Sequence, residues 1–166
     1  KALNNNAAVV LDEKGREMNR VLVKVFNEIL RTEESCLSGS EFADLSLREM
    51  HVIEAVRLGD GSGRNRASQI ACQLGVTAGT LTTTVSLLEK KGYLIREADA
   101  RDGRVKRIRL TARGEAADQA HQRFHEEMVR GILASLTAEE ACAFLRGLDS
   151  VSRFFQNKVK KEGYEP

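Results

Sequence analysis

A change of hydrophobic period in the middle of the chain constrains its fold more than any other feature. Two short segments show the three- and four-residue apolar spacing of amphipathic helices; Gly75 joins them, and Gly92 ends the second. Apolar and polar residues then alternate in two further segments around a short polar turn, which is the pattern of a β-hairpin. The four segments are residues 68–74, 77–91, 93–98 and 105–110. This order predicts a winged helix-turn-helix, a mainly α fold with a small β-hairpin wing.

The spacing within the helix pair supports this prediction. Ala71 is small where the two helices would cross, Gly75 follows four residues later, and Leu81 anchors the second helix after six more. These offsets allow near-perpendicular packing, which presents the second helix of such a pair to the major groove of DNA. The expected buried side of that helix consists of Leu81, Val85 and Leu88.

The exposed side of the second helix carries short hydroxyl residues and a glycine. An ordinary solvated face would favour Glu, Lys and Gln, because clustered threonines lower helix propensity. Short side chains permit close approach to DNA, hydrogen bonds to phosphate and contact with thymine methyl groups. The residues predicted to contact DNA from this helix are Thr77, Gly79, Thr80, Thr82, Thr83 and Ser86.

The hairpin is strongly basic. Residues 61–110 contain ten Lys and Arg against four Asp and Glu, a net charge of +6 in a chain whose total is only +2. A basic hairpin that follows a recognition helix is expected to reach the minor groove and the phosphate backbone. The wing residues predicted to contact DNA are Arg101, Arg104, Lys106 and Arg107. Asp102 is expected to hold a neighbouring arginine by a charge-assisted hydrogen bond.

Long amphipathic helices are expected on both sides of this lobe. One runs from about residue 4 to residue 36, and two more follow Thr111. Capping boxes mark two helix starts, Ser46 with Glu49 and Thr137 with Glu140. The chain divides into an N-terminal dimerisation helix and loop (1–45), a DNA-binding lobe (46–110) and C-terminal dimerisation helices (111–166). The apolar stripes of the outer helices lack a partner in so small a lobe, which predicts a homodimer on a palindromic operator.

Composition and motifs argue against several function classes. No apolar run approaches a membrane span and none resembles a signal peptide, which predicts a cytoplasmic protein. Aromatic residues make up only 5% of the chain, too few for base stacking on single-stranded RNA. We find no phosphate-binding loop or nucleophile motif and expect no enzyme, while a purely helical scaffold would leave the wing unexplained. The cysteines Cys36, Cys72 and Cys142 share no metal-ligand spacing and are expected to be buried as small apolar residues.

Several stretches of the sequence carry a resemblance to a known family. They are residues 74–77, 88–94, 102–104 and 110–114. In these stretches the chain resembles the MarR family of bacterial regulators, and the similarity covers nearly the whole chain. The resemblance implies a triangular dimer whose terminal helices interleave and whose two winged lobes hold a palindrome. Many family members carry an arginine near the position of Thr83, so this chain departs from the family in its recognition helix.

Within the family, the chain is most similar to the repressors of fatty-acid synthesis. The residues that carry this similarity are Glu33, Glu34, Gly39, Ser40, Phe42, residues 49–51, residues 79–83, Phe124 and His125. The resemblance implies a repressor whose effector is an acyl carrier protein; a small-molecule effector is the alternative.

The three histidines indicate an alternative effector. His121 and His125 lie four residues apart on one helical face, a spacing that suits two imidazole ligands of one metal ion. Together with His51 and Glu33 they resemble the pattern of zinc-responsive MarR regulators, which implies a tetrahedral zinc site. The same four residues can instead line a pocket or a hydrogen-bond network between the dimer helices and the DNA lobe. The closer similarity to the fatty-acid repressors favours that second interpretation, and zinc is the alternative.

Overall fold

The structure is a computed structural model that describes residues 11–100 and 102–161 of the 166, without the side chains of residues 159–161. Within this range the chain forms helices and one two-stranded antiparallel hairpin. In chain order the elements are α1 (Glu13–Ser38), α2 (Leu47–Gly61), α3 (Ala67–Leu74), α4 (Ala78–Lys90), β1 (Leu94–Ala98), β2 (Lys106–Leu110), α5 (Ala112–Ala134) and α6 (Ala138–Lys161). The predicted fold class is confirmed: a mainly helical chain with a hairpin wing after the helix pair.

Reciprocal capping sets the starts of α2 and α6. The Ser46 N–H donates to Glu49 Oε2 at 2.7 Å, and the Glu49 N–H donates back to Ser46 Oγ at 3.3 Å. Thr137 and Glu140 repeat the arrangement before α6, at 2.8 and 3.3 Å. Each box satisfies two backbone N–H groups that a helix start would otherwise leave unpaired, so both predicted starts are confirmed.

The first helix begins later than expected from its apolar spacing. Asp12 is its N-cap, because the Gly15 N–H donates to Asp12 Oδ1 at 2.7 Å, and α1 proper starts at Glu13. The predicted start near residue 4 falls in residues 1–10, which lie outside the described residues. A local side-chain cap therefore decides this boundary, rather than the hydrophobic pattern.

The helix pair α3–α4 turns sharply at Gly75. This glycine has φ +63° and ends α3, as predicted, and the two helix axes are bent by 109°. No single helix among the described residues is long and apolar enough to cross a membrane; α3 and α4 meet that criterion only when counted together as this bent pair. Their apolar side chains instead fill the core of the lobe, where Leu81, Val85 and Leu88 are fully buried as predicted.

The hairpin is held to the lobe by a few inward contacts. β1 and β2 pair antiparallel, with Leu94 opposite Leu110 and Arg96 opposite Ile108. Leu94 and Ile108 are buried, and the Ile108 N–H donates to the Asn65 carbonyl oxygen at 2.9 Å. Since an isolated two-stranded hairpin is only marginally stable, these anchors fix the wing.

The core joins residues from most elements of the lobe. It extends to Phe42 and Leu45 before α2, and to Ala117 in α5. The other members are Met50, Val52, Ile53, Ala55, Val56, Ile70, Ala71, Leu81, Val85, Leu88, Tyr93, Leu94 and Ile108. The helix pair and the wing are thus attached to a shared core.

The expected burial of the three cysteines is wrong. Cys36, Cys72 and Cys142 are all exposed. Cys72 follows the buried pair Ile70 and Ala71, and the helical rotation of about 100° per residue turns it away from them. Cys142 lies on α6, where none of the side chains described between residues 138 and 158 is buried.

Candidate functional site

The residues of α4 that we predicted to contact DNA lie on its outer side. Five of them are exposed, whereas Ser86 is half-buried, and the side opposite carries the core residues. The exposed ones are Thr77, Gly79, Thr80, Thr82 and Thr83. The Ser86 hydroxyl accepts a hydrogen bond from Arg96 Nη2 at 3.3 Å, which links the end of this surface to β1. The result is a narrow surface of short side chains bordered by the wing.

Three threonine hydroxyls of α4 donate hydrogen bonds to the helix backbone. Thr82 Oγ1 donates to the Ala78 carbonyl oxygen at 2.8 Å, and Thr83 Oγ1 donates to that of Gly79 at 3.1 Å. Thr84 Oγ1 does the same to Thr80 at 3.0 Å. These bonds fix the rotamers of three successive side chains and so fix which of their atoms face solvent.

The wing presents its basic residues to different degrees. The Arg104 side chain is 97% exposed, and Lys106 is exposed as well. Arg101, which we also predicted to contact DNA, lies outside the described residues. Of the arginines that neighbour Asp102, Arg101 cannot be compared with the expectation, and Arg104 does not form the expected side-chain hydrogen bond, since its Nε lies 3.8 Å from Asp102 Oδ1. That oxygen instead accepts from the Arg104 backbone N–H at 3.1 Å and so shapes the turn.

Arg107 faces the lobe instead of extending from the wing. Its Nε donates to Asp99, and its Nη1 donates to the Gly63 carbonyl oxygen and to Asn65 Oδ1, both at 2.8 Å. Asn65 is fully buried and its amide also donates to Asp60 Oδ1 at 2.9 Å. This network ties the wing to the loop between α2 and α3. Sequence reasoning missed it, because its partners are separated by more than 40 residues and follow no motif.

The four residues of the predicted metal set converge on one carboxylate oxygen. Glu33 Oε1 on α1 lies 3.3 Å from the Nε2 atom of His51 on α2, and 3.4 and 3.5 Å from those of His121 and His125 on α5. The Nε2 atoms of His121 and His125 are 3.1 Å apart. Three helices therefore meet at this cluster, which we call the Glu33–histidine cluster.

The cluster is buried on one side and open on the other. The side chains of Glu33 and His121 are both 5% exposed, whereas those of His51 and His125 are about one-third to two-fifths exposed. Burial lowers the pKa of His121, and the neighbouring His125 lowers it further, although Glu33 and Glu54 act in the opposite direction. At neutral pH His121 is therefore mainly uncharged, and its unprotonated ring nitrogen can accept a hydrogen bond or bind a metal ion.

The geometry of the cluster fits a small metal ion. In a tetrahedral zinc site with bonds of about 2.0–2.1 Å, neighbouring ligand atoms lie roughly 3.3 Å apart. One ligand atom each from Glu33, His121 and His125 meets this condition closely enough to hold an ion, all three lying within 4.8 Å of one another. His51 reaches Glu33 from the exposed side and does not belong to that three-membered group. The donors are one carboxylate and two imidazoles, which zinc binds well.

A small cavity adjoins the cluster. It has a volume of about 90 Å³, and Glu33 and His121 form part of its wall. The remaining lining is mostly apolar and comes from Cys36, Leu37, Ser40, Phe42, Met50, Ala120 and Phe124. The pocket expected between the dimer helices and the lobe is thus next to the polar cluster, and a ligand in it would touch α1, α2 and α5 together.

Comparisons with known proteins relate this arrangement to DNA binding. The model of the MarR family matches residues 60–106, which include the helix pair and most of the wing. No curated protein sequence shows significant similarity to the chain. Among solved structures, Streptococcus pneumoniae FabT in complex with DNA is 35% identical, with a TM-score of 0.77, over 86% of this chain and 97% of its own.

More distant structures share the fold. The S. aureus MepR–DNA complex is 22% identical with a TM-score of 0.67, covering 81% of this chain and 94% of MepR. A MarR/EmrR family regulator from Acinetobacter sp. ADP1 is 19% identical with a TM-score of 0.64, covering 88% of this chain and 96% of that one. The predicted resemblance is thereby confirmed, and the chain belongs to the MarR family of DNA-binding transcription regulators.

Proposed function

We propose that this protein is a MarR-type repressor that binds a palindromic operator as a homodimer and controls genes of fatty-acid synthesis. The observation that carries this proposal is the 35% identity to DNA-bound FabT over most of both chains. The resemblance of the sequence to fatty-acid repressors supports the choice of target genes.

In this proposal the outer side of α4 enters the major groove, and the wing contacts the minor groove and phosphates. Thr77, Gly79, Thr80, Thr82, Thr83 and Ser86 supply the groove contacts, and Arg101, Arg104 and Lys106 supply the wing contacts. We assign Arg107 a different role from the one its position in the sequence indicated. Its bonds to Asn65 and Gly63 hold the wing in place, so it acts on DNA binding indirectly.

Gel-shift titration with the DNA upstream of the protein's own gene tests the proposal. We expect a discrete complex that resists competition by random duplex, with an affinity that falls steeply as salt increases. The same titration with DNA upstream of fatty-acid-synthesis genes tests the target. Equal affinity for operator and random DNA would contradict a sequence-specific regulator.

The effector that we propose is an acyl chain delivered by an acyl carrier protein. The cavity beside the Glu33–histidine cluster supports this, because Phe42, Met50 and Phe124 give it an apolar wall suited to a chain end. We expect acylated carrier protein to change operator affinity and the unacylated carrier to leave it unchanged. An identical response to both forms would exclude the acyl chain as the signal.

Zinc is a second candidate effector, and the convergence of Glu33, His121 and His125 supports it. A bound zinc ion would supply positive charge at the junction of α1, α2 and α5. Glu33 and the two α5 histidines would hold it, and His51 on α2 lies beside them. Because these ligands come from two helices, the packing of α1 against α5 would depend on the ion.

Metal analysis separates the two effectors. Protein purified without chelator or histidine tag is analysed for zinc, and operator affinity is titrated with zinc for the wild type and for His121→Ala. The zinc proposal predicts about one ion per chain and a response that the variant loses. If no zinc is bound and zinc leaves operator affinity unchanged, the acyl carrier protein is the better candidate.

A further inference from the structure

On the outer side of α4, the hydroxyl protons of Thr82 and Thr83 are already committed to backbone hydrogen bonds before the helix meets DNA. A hydroxyl group has one proton to donate, and a carbonyl oxygen can only accept. The bonds from Thr82 and Thr83 to the Ala78 and Gly79 carbonyl oxygens, at 2.8 and 3.1 Å, therefore use the single donor of each side chain. What remains toward solvent on these two exposed residues is a γ-methyl group and the acceptor side of an oxygen atom.

Apart from the half-buried Ser86 hydroxyl and the Thr77–Thr80 pair at the helix start, no side chain in the body of α4 can replace the missing donors. From Ala78 to Glu89 the helix contains no Lys, Arg, Asn or Gln, the residues that give bidentate hydrogen bonds to guanine or adenine edges. The hydroxyls of Thr77 and Thr80 lie 2.9 Å apart and bond to each other at the helix start. The outer surface of α4 thus has little ability to donate to the guanine O6 and N7 acceptors.

The same surface is shaped for close apolar contact. Gly79 lies one helical turn before Thr83. Apart from its chain neighbours and the adjacent helix backbone, a Cβ added at Gly79 would come no nearer than 4.0 Å to any atom, namely Thr77 Oγ1. This open position lets a base pair approach the backbone beside the Thr83 methyl group. A thymine C5-methyl group is the one apolar feature that bases present in the major groove.

We infer that α4 recognises its operator by packing the γ-methyl groups of Thr82 and Thr83 against thymine methyl groups, so that each half-site requires thymine, rather than guanine, at the positions these residues touch. This inference rests on the proposed DNA-binding role of α4 and names the base chemistry that it selects. The oxygen lone pairs of the two threonines add acceptors that suit the amino groups of adenine or cytosine.

Thymine-to-uracil replacement tests the inference directly, because it removes the methyl group and leaves every hydrogen-bonding atom in place. Duplexes are selected by the protein from a random pool, and the best binder is resynthesised with deoxyuridine at one thymine position at a time. We expect one or two positions per half-site at which uracil weakens binding about fourfold, the factor for a lost methyl-sized apolar contact. Guanine at those positions should weaken binding further.

Matched threonine variants identify the protein partner of each methyl group. Thr83→Ser and Thr82→Ser remove the γ-methyl and keep the hydroxyl, so each should weaken the thymine duplex about fourfold and leave the uracil duplex almost unchanged. Thr83→Val and Thr82→Val keep the methyl and should bind the thymine duplex within about twofold of wild type. Thr84→Ser is the control, because Thr84 makes the same backbone bond but is half-buried and lines a groove with Leu30 and His51.

The possible outcomes distinguish a failure of methyl recognition from a failure of the proposed DNA-binding function. Specific binding that uracil does not weaken at any position, or valine variants that lose as much affinity as serine variants, would overturn methyl recognition and leave DNA binding intact. Selection of guanine at the positions coupled to Thr82 and Thr83 would do the same. Failure to enrich any duplex would overturn the proposed function and this inference together.

Discussion

Gly114 illustrates how one residue joins the helix pair to the helix that follows the wing. A Cβ at this position would lie 2.2 Å from the Tyr93 carbonyl oxygen, a backbone atom that cannot move aside cheaply. The same carbonyl accepts from the Thr111 N–H at 3.0 Å, and the Thr111 hydroxyl donates to Gly92 at 2.7 Å. The first turn of α5 is therefore pressed against the backbone that ends α4.

The first prediction compares two glycines in the first turns of helices. Gly114→Ala should lower the free energy of unfolding by about 1–3 kcal/mol, the usual cost of overpacking. Gly79→Ala is the control, since its Cβ meets open space; it should raise stability by up to about 1 kcal/mol because alanine favours a helix. Urea denaturation at one fixed protein concentration measures both. Equal effects of the two substitutions would show that the contact with Tyr93 is not tight.

The second prediction concerns pH and His121. Burial and His125 lower the pKa of His121, so the unfolded chain binds the proton more readily than the folded chain. The free energy of unfolding should therefore fall as the pH drops below about 6.5, the ordinary histidine value, toward the lowered value in the fold. His125, His51, Glu33 and Glu54 all face this ring and remain in the comparison variant, His121→Gln. Urea denaturation of both proteins at pH 7.5 and 5.5 should show the larger loss in wild type, and equal losses would contradict the assignment.

At the scale of elements, the sequence was informative where the determining interactions are local. The starts of α2 and α6 follow from capping boxes spanning four residues, and Gly75 and Gly92 mark the helix ends at positive φ. No local pattern in the sequence links Glu33 to α5. The convergence of the Glu33–histidine cluster was therefore predicted only from the resemblance to zinc-responsive MarR regulators. The role of Arg107 was not predictable, because Asn65 and Gly63 reach it only through the packing of the lobe. Exposure of the cysteines likewise depends on which helix face meets the core.

The third prediction separates the two wing arginines. Arg104→Ala should leave stability unchanged, weaken binding to all duplexes and reduce the salt dependence by about one unit, because its exposed guanidinium meets phosphate or the minor groove. Arg107→Ala should lower the free energy of unfolding by about 1–3 kcal/mol, since it leaves the buried Asn65 oxygen without its donor. Urea denaturation and gel shifts at several salt concentrations measure both effects. The reverse pattern, with Arg104 the destabilising site, would refute this division of roles.

At the scale of the whole molecule, the single chain leaves large apolar surfaces on its outer helices. α1 exposes several large apolar residues, among them Val21, Phe26 and Leu30, and α6 exposes a second set on a helix in which no described side chain is buried. The apolar residues of α6 that are exposed are Phe144, Leu145, Leu148, Phe154 and Phe155. Monomeric proteins rarely expose contiguous apolar surface on this scale, and a second copy of the chain offers the same faces in return. The Glu33–histidine cluster lies where α1 and α5 meet α2. In the proposed function, a ligand bound there would change the geometry of such a dimer.

The fourth prediction tests the dimer through one position on α6. Leu148→Asp places a charge in the proposed interface and should shift the protein from dimer to monomer in sedimentation at micromolar concentration. Leu58→Asp is the matched control, because Leu58 is equally exposed but lies on α2 in the lobe, and this variant should stay dimeric. A monomer can bind only one half-site at a time. The affinity of Leu148→Asp for a palindrome should therefore fall about 100-fold or more, while its affinity for an isolated half-site should change little. A monomeric wild type, or a Leu148→Asp variant that remains dimeric with full operator affinity, would show that α6 does not form the interface.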